Sequence, residues 1–203
     1  MAQTDEELKA AVLVHALAHA AADGFTDAVL QRAARDAGAS PEQLAHLFPQ
    51  GPLSLVEAFS TRADDAMERA LGDISAMKVR ERIASAVLAR IAAVRPHKEA
   101  ARRAAAFLLL PQHAALGAKL VYQTVDRMWR AAGDTSTDFN FYTKRGILAG
   151  VYTSTLMRWF NDASDDEHDT RAFLDARIEN VMQFEKFKAE MKARFASPSS
   201  SAS

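Results

Sequence analysis

The sequence predicts an all-α protein. Apolar residues recur at intervals of three and four along most of the 203-residue chain, which is the period of an amphipathic helix. No Asn-Gly or Asp-Gly turn joins two strand-like apolar runs, so the usual signal for a β-hairpin is missing. Glycines, prolines and polar N-cap residues divide the chain into segments whose lengths suit helices.

Three short helices are predicted first. Gly24 can end the first helix because glycine adopts the left-handed conformation that C-caps require. Thr26 is expected to begin the second helix as its N-cap, and Ser40 followed by Pro41 is expected to begin the third. The predicted ranges are 5–22, 26–38 and 40–49.

Six longer helices are predicted to follow. Gly and Pro interrupt a helical pattern, and Gly72, Pro96, Pro111 and Gly133 separate the first five of these helices. An acidic stretch, residues 162–166, separates the last two. The predicted ranges are 53–72, 75–95, 97–110, 112–132, 138–161 and 167–195.

Composition and charge exclude several classes of protein. The residues are 49% hydrophobic and 25% charged, which is typical of a globular chain with a sizeable core. The absence of cysteine excludes disulfides and thiolate metal sites. Acids near the N-terminus argue against a cleaved targeting segment, and the longest apolar run, residues 104–110, is too short to span a membrane. We therefore expect a cytoplasmic protein whose membrane contact, if any, is peripheral.

The order of the helices resembles that of the TetR-type repressors, which place a helix-turn-helix head on an all-α ligand-binding body. The similar stretch is GFTDAVLQRAARDAGASPEQLAHLFPQGPLSLVEAF, residues 24–59. The resemblance implies a head at residues 1–52 and a helical bundle with an apolar pocket at 53–195. The Ser-rich composition of residues 196–203 predicts a disordered tail.

The charge of this head argues against nucleic acid as a partner. Residues 1–60 contain three basic and eight acidic residues, a formal charge of −5. The segment PEQLAHLF, which would be the recognition helix, has no Lys or Arg. Because Lys and Arg supply most of the affinity for DNA phosphates, we expect no DNA binding. A TetR-like transcriptional regulator remains the alternative if the fold assembles a basic surface elsewhere.

The sequence predicts no catalytic residues, cofactor or metal site. His15 and His19 have the spacing of two metal ligands on one helix, but the lack of a third ligand nearby favours packed or capping histidines. His168 lies among acids that the positive end of a helix dipole already explains. Ser75 and Lys78 fit the S-x-x-K pattern, but its companion motifs are missing.

The seventh and eighth predicted helices each carry a stripe of apolar side chains and internal glycines, and this pattern suggests a binding site. Gly146 and Gly150, with Ser154, lie four apart on one face of the eighth predicted helix, and glycine there costs about 1 kcal/mol relative to alanine. Spacing alone favours close helix packing, including packing across a dimer seam, over a ligand tunnel. The residues predicted to line the bound group are Gly117, Leu120, Val121, Thr124, Met128, Gly146, Gly150, Val151, Ser154 and Trp159.

Residues 110–182 resemble the signature region of the ubiquinone-biosynthesis accessory family called Coq nine. The landmarks include Leu-Pro-Gln at 110–112, Val-Asp before Trp129, Gly-Asp at 133–134, STDFN at 136–140 and YTKR at 142–145. This resemblance implies a TetR-like homodimer that is not an enzyme. It also implies binding of an isoprenoid quinone lipid in the C-terminal helices and its presentation to a demethoxyubiquinone hydroxylase.

The resemblance also implies a surface for that hydroxylase. The family's D-F-N-W-Y motif corresponds here to DFNFY, so the predicted partner-binding residues are Asp138, Phe141 and Tyr142, with Phe141 where tryptophan is usual. Asp138 is predicted to cap the helix.

Further along, aromatic residues from Phe184 onward alternate with lysines, a pattern that suits an interfacial helix on anionic lipid.

Overall fold

A computed structural model describes residues 4–135 and 139–196, with side chains for all of these except residues 139, 140 and 184–196. The described residues form nine α-helices and no strand, which confirms the predicted all-α class. Short 3₁₀ turns precede three of the helices. The helices are α1 (Asp5–Asp23), α2 (Asp27–Asp36), α3 (Pro41–Leu47), α4 (Pro52–Leu71), α5 (Val79–Val94), α6 (Lys98–Leu108), α7 (Ala114–Ala131), α8 (Phe139–Phe160) and α9 (His168–Ala196).

The N-terminal helices begin where the sequence predicts and end within two residues of the predicted positions. Thr26 Oγ1 accepts a hydrogen bond from the Val29 amide at 3.2 Å. Ser40 and Gln43 form a reciprocal capping box at the start of α3. Gly24 has φ 72°, in the left-handed region that glycine tolerates. These caps satisfy backbone groups that helix ends leave without partners.

α5 begins later than predicted, at Val79 and not near residue 75. The Asp73 carboxylate accepts a hydrogen bond from the Ser75 amide at 2.9 Å, which holds the preceding residues in a turn. The Glu81 carboxylate then accepts from the Lys78 amide at 3.0 Å. The helix therefore starts where this second bond caps it, and the local side-chain bond outweighs the apolar pattern before it.

Residues Met1–Ala149 form one compact unit. Within it α1 packs against α2 and α6, while α4 packs against α5 and α7. Phe25, in the turn between α1 and α2, is buried, and its ring centroid lies 6.5 Å from that of Phe59 and 6.4 Å from that of Phe107. Such aromatic contacts add to the area that the rings bury. The bulky side chains Leu17, Leu55, Met67, Ile91 and Met128 are also fully buried.

A second unit, Gly150–Ser203, contains the rest of α8 and all of α9. The acidic stretch before α9 caps that helix, since Asp162 accepts hydrogen bonds from the amides of Ser164 and Thr170, each at 2.8 Å. Burial would raise the pKa of Asp162, but the hydrogen bonds from Ser164 and Thr170 outweigh it and hold that pKa well below its usual range. The predicted divisions at residues 52 and 195 stay predictions.

Candidate functional site

Two aromatic side chains stand in the first turn of α8. Tyr142 is 68% exposed, and Phe141 is half-buried. Their ring centroids lie 5.1 Å apart in an edge-to-face arrangement. Asp138, the predicted cap, lies outside the described residues. The exposure of Tyr142 is what a partner surface requires, and the role of the pair in binding stays a prediction.

The guanidinium of Arg145 holds the Phe141 side of this turn in place. Its Nε donates to Asp126 Oδ1 at 2.6 Å, and its Nη1 lies 3.2 Å from both Asp134 Oδ2 and the Phe141 carbonyl. The Arg145 Cζ atom lies 3.4 Å from the centre of the Phe141 ring, a close cation–π contact. Only 2% of the Arg145 side chain is exposed. We call Arg145, Asp126, Asp134 and Phe141 the Arg145 clamp.

The residues that directly follow α7 make further polar contacts. Lys144 Nζ donates to Asp134 Oδ1 at 2.8 Å, and the Trp129 indole donates to the Lys144 carbonyl at 3.1 Å. From α5, Arg82 donates to the Ala132 carbonyl at 2.9 Å, and it also bonds the carbonyls of Ser75 and Met77. Side chains of α5 and α8 therefore hold the chain at Ala132 and Asp134, just after α7.

Sequence reasoning did not assign a role to Arg145, Asp126 or Asp134, although all three fall within the landmarks of the family resemblance. Asp126 and Arg145 are 19 positions apart and on different helices. The i, i+4 rule that identifies ion pairs within one helix gives no signal for such a pair. The only sequence feature that could have indicated this cluster was a run of charged residues beside aromatic ones at the start of a helix.

The two glycines of α8 lie on an open face. Gly146 and Gly150 are both exposed. Apart from their chain neighbours and the nearby backbone of α8, no described atom lies within 4 Å of the position a Cβ would take at either glycine. The Ser154 hydroxyl donates to the Gly150 carbonyl at 2.7 Å, so it turns back onto its own helix. Gly146 and Gly150 thus form a smooth, accessible strip on α8, which we call the glycine strip. It is available to a ligand or to a second chain.

Gly117 has a different environment from these two. A Cβ at Gly117 would lie 3.2 Å from the Leu108 carbonyl oxygen, a distance that few Cβ atoms tolerate. Glycine at this position is therefore explained by the close approach of the end of α6 to α7. Its predicted role in lining a lipid site stays a prediction.

The remaining predicted lining residues of α7 are mostly core side chains. Leu120, Thr124 and Met128 are buried, and Val121 is half-buried. The Thr124 hydroxyl donates to Asp64 at 3.0 Å, so its polar group already has a partner inside the protein. These α7 side chains thus form part of the core of the first unit, with Val121 at its edge.

In the second unit, Val151 and Trp159 are buried and Ser154 is half-buried. The Trp159 side chain is fully buried, and its indole donates to Glu167 Oε1 at 2.7 Å. A buried tryptophan usually needs such a partner for its N–H group. The ring centroid of Trp159 lies 5.4 Å from that of the adjacent Phe160.

A buried polar cluster, which we call the Asp64 cluster, lies between α4, α5 and α7 and was not predicted. Arg90 Nε donates to Asp64 Oδ1 at 2.5 Å, and the two side chains are 7% and 4% exposed. Thr124 supplies a second donor to the same carboxylate, and Arg90 also reaches the Ser60 hydroxyl at 3.3 Å. Burial raises the pKa of Asp64, while Arg90 and Thr124 oppose that rise.

α3 is the segment that would be the recognition helix of a DNA-binding head, and DNA binding stays untested. The exposed residues of α3 are Pro41, Glu42, Gln43, Ala45 and His46, and none is Lys or Arg.

On α1, the His19 Nε2 atom lies 2.7 Å from Asp36 Oδ2 on α2, as expected for a packed histidine with a polar partner. Within residues 4–135 and 139–196, no three His, Asp or Glu side chains are arranged to hold a metal ion.

In the described part of the chain, no single helix is long and apolar enough to cross a membrane, although the bent pair Val79–Leu108 and Pro111–Ala131 meets the same criteria when taken together. The side chains from Phe184 onward, where the interfacial helix was predicted, lie outside the described residues.

Comparison with known proteins bears directly on the resemblance seen in the sequence. Residues 114–185 match the family model described as COQ9. The ubiquinone biosynthesis protein COQ9, mitochondrial, of Rattus norvegicus is 31% identical over 94% of this chain and 64% of its own length. The Homo sapiens protein of the same name is 30% identical over 94% of this chain and 63% of its own length. The chain thus spans less than two thirds of these relatives.

A solved structure supports the fold. The TetR transcriptional regulator from Nitrosomonas europaea superposes with a TM-score of 0.70 over 87% of this chain and 98% of its own, at 19% sequence identity. At that identity the likeness concerns the fold alone. The expected resemblances are therefore both confirmed: the chain is similar to the COQ9 proteins over 94% of its length and has a TetR-like fold.

Proposed function

We propose that this chain acts in ubiquinone biosynthesis as an accessory protein that binds an isoprenoid quinone precursor and presents it to a demethoxyubiquinone hydroxylase, without catalysing the reaction itself. The observation that carries the proposal is the similarity to named ubiquinone biosynthesis proteins over 94% of the chain. The protein acts as a homodimer at the membrane surface, which is where its lipid is found.

The open glycine strip of α8 supports the lipid part of the proposal. An isoprenoid tail gains about 0.8 kcal/mol for each CH₂ group that leaves water. Side chains at Gly146 and Gly150 would keep such a tail away from the helix, and the exposed position of both glycines leaves that approach free. The exposed Tyr142, one turn before Gly146 on the same helix, supports the partner surface.

We expect Gly150→Leu to reduce the isoprenoid lipid recovered with the purified protein while leaving the fold intact. Apart from chain neighbours and the nearby backbone of α8, no described atom lies within 4 Å of a Cβ at this position, and Gly150 is exposed, so we expect the free chain to accommodate the leucine. Replacing a helical glycine should also stabilise α8 by about 1 kcal/mol. Mass spectrometry of organic extracts measures the lipid, and circular dichroism measures the melting temperature.

Ala106→Leu is the matched control, because Ala106 is an exposed alanine on α6 and gains the same side chain away from the strip. Recovery of as much lipid from Gly150→Leu as from this control would place the lipid site elsewhere. Unchanged lipid together with loss of the dimer would identify the strip as a seam between two copies of the chain.

The alternative function is a TetR-like transcriptional regulator with an apolar ligand, which the fold similarity favours. The absence of Lys and Arg from α3 and the −5 charge of residues 1–60 argue against it. A gel-shift experiment with genomic fragments at low salt separates the two functions. Retarded DNA would support the regulator, and free DNA at micromolar protein would support the accessory role.

A further inference from the structure

The buried guanidinium of Arg145 lies next to the predicted partner surface, which consists of Phe141 and Tyr142. Arg145 and Phe141 are four residues apart on α8, so their side chains lie on the same helical face. The guanidinium plane contacts the Phe141 ring at 3.4 Å, and the Phe141 ring meets Tyr142 edge to face at 5.1 Å. An unbroken line of contacts therefore runs from the clamp to the exposed tyrosine.

The other side of the guanidinium is tied to α7 and to the turn that follows it. Asp126 and Asp134 both accept from Arg145, and their side chains are only 15% and 4% exposed. A guanidinium can bond two carboxylates and a carbonyl at once and still stack on a ring, because it is planar and carries five N–H donors. A lysine ammonium at this position lacks that geometry.

We infer that Arg145 is a positioning residue for partner binding: the Arg145 clamp fixes Phe141 and Tyr142 in their binding geometry before the partner arrives. This inference rests on the proposed function for the identity of the partner. Its physical basis is the entropy that binding costs, because side chains and backbone already ordered in the free protein need not be ordered on association. Arg145 itself is 2% exposed and need not touch the partner.

Hydrogen–deuterium exchange of the free protein tests the clamp without any partner. We expect Arg145→Lys to raise the exchange rate of amides 143–148 about tenfold or more, while amides in α1 and α4 keep their rates. Arg130→Lys is the matched control, because Arg130 bonds the other oxygen of Asp126 at 2.8 Å but is 70% exposed. It should leave exchange at the start of α8 unchanged. Exchange that rises equally throughout the chain, or not at all in amides 143–148, would overturn the inference.

A double-mutant cycle on affinity for purified demethoxyubiquinone hydroxylase tests the consequence for binding. Arg145→Lys should weaken binding about tenfold in the wild-type background and clearly less in the Tyr142→Ala background, because that background lacks one of the two side chains that the clamp positions. Equal losses in the two backgrounds would show that Arg145 acts independently of Tyr142 and would overturn the inference.

Two further outcomes are distinguishable. If Arg145→Lys does not fold, Asp134→Asn replaces it in both experiments, since it removes one charged partner and leaves the guanidinium in place; the same increase in exchange and the same coupling are expected. If the wild-type chain binds no hydroxylase, the proposed function fails, and the exchange measurement alone decides whether Arg145 orders the aromatic pair.

Discussion

Arg90→Met should lower the free energy of unfolding by about 3–5 kcal/mol at neutral pH, because it leaves the buried Asp64 carboxylate without its charged partner. Arg90 and Asp64 are 7% and 4% exposed, so water cannot readily replace the lost contact. Most domains are stable by only about 5–15 kcal/mol, so the loss removes a large part of the total. Urea denaturation followed by circular dichroism measures it.

The stability loss in Arg90→Met should depend on pH in a defined direction. Burial raises the pKa of Asp64, and Arg90 opposes that rise, so removing Arg90 raises the pKa further. An acid with a raised pKa contributes stability at low pH and loses that contribution as pH increases through the folded-state value. The deficit should therefore be smallest near pH 4, the ordinary aspartate pKa, and should grow as pH rises toward 8.

The double variant Asp64→Asn with Arg90→Met is the control for these measurements. It removes both charges and should recover most of the lost stability, because a neutral pair avoids the burial of an isolated charge. A pH-independent deficit in Arg90→Met, or a double variant no more stable than the single one, would show that the Asp64 carboxylate is not the source of the loss.

Replacing Phe141 and Tyr142 together with alanine should abolish capture of the demethoxyubiquinone hydroxylase. Aromatic anchors at interface centres typically contribute about 2 kcal/mol or more each, and each such loss weakens binding about thirtyfold. Lipid recovery should be unchanged, because these residues precede the glycine strip. A pull-down with tagged hydroxylase and lipid extraction from the same preparation measure both properties.

The two aromatic residues should differ in their effects on stability. Tyr142 is 68% exposed, so Tyr142→Ala should leave the melting temperature near that of the wild type. Phe141→Ala removes the ring that stacks on Arg145 and should cost about 0.5–2 kcal/mol. Tyr122→Ala, at a 44% exposed tyrosine on α7, is the control and should retain hydroxylase binding. A large drop in melting temperature for Tyr142→Ala would assign that residue to the core.

The helices could be predicted from sequence because their ends depend on local chemistry. Thr26, Ser40 and Gly24 act on backbone groups within a few residues, so their positions in the chain fix where α1, α2 and α3 begin or end. The start of α5 was wrong by about four residues because the Asp73 side chain makes a competing turn.

The polar contacts around the candidate site could not be predicted in the same way. Asp64 and Arg90 are 26 positions apart, and their pairing depends on how α4 and α5 pack. Thr124 was placed among apolar lining residues because it follows the helical period, yet its hydroxyl bonds Asp64. Tyr142, by contrast, was predicted as a partner-binding residue from the family motif, and its side chain is 68% exposed.

Mass spectrometry of organic extracts from the purified protein tests most directly whether the chain carries an isoprenoid quinone precursor. We expect a polyprenyl quinone precursor in the wild-type extract at close to one molecule per protomer, and clearly less in the Gly150→Leu extract. A wild-type extract with no more isoprenoid lipid than that of an unrelated protein purified in the same way would contradict the claim.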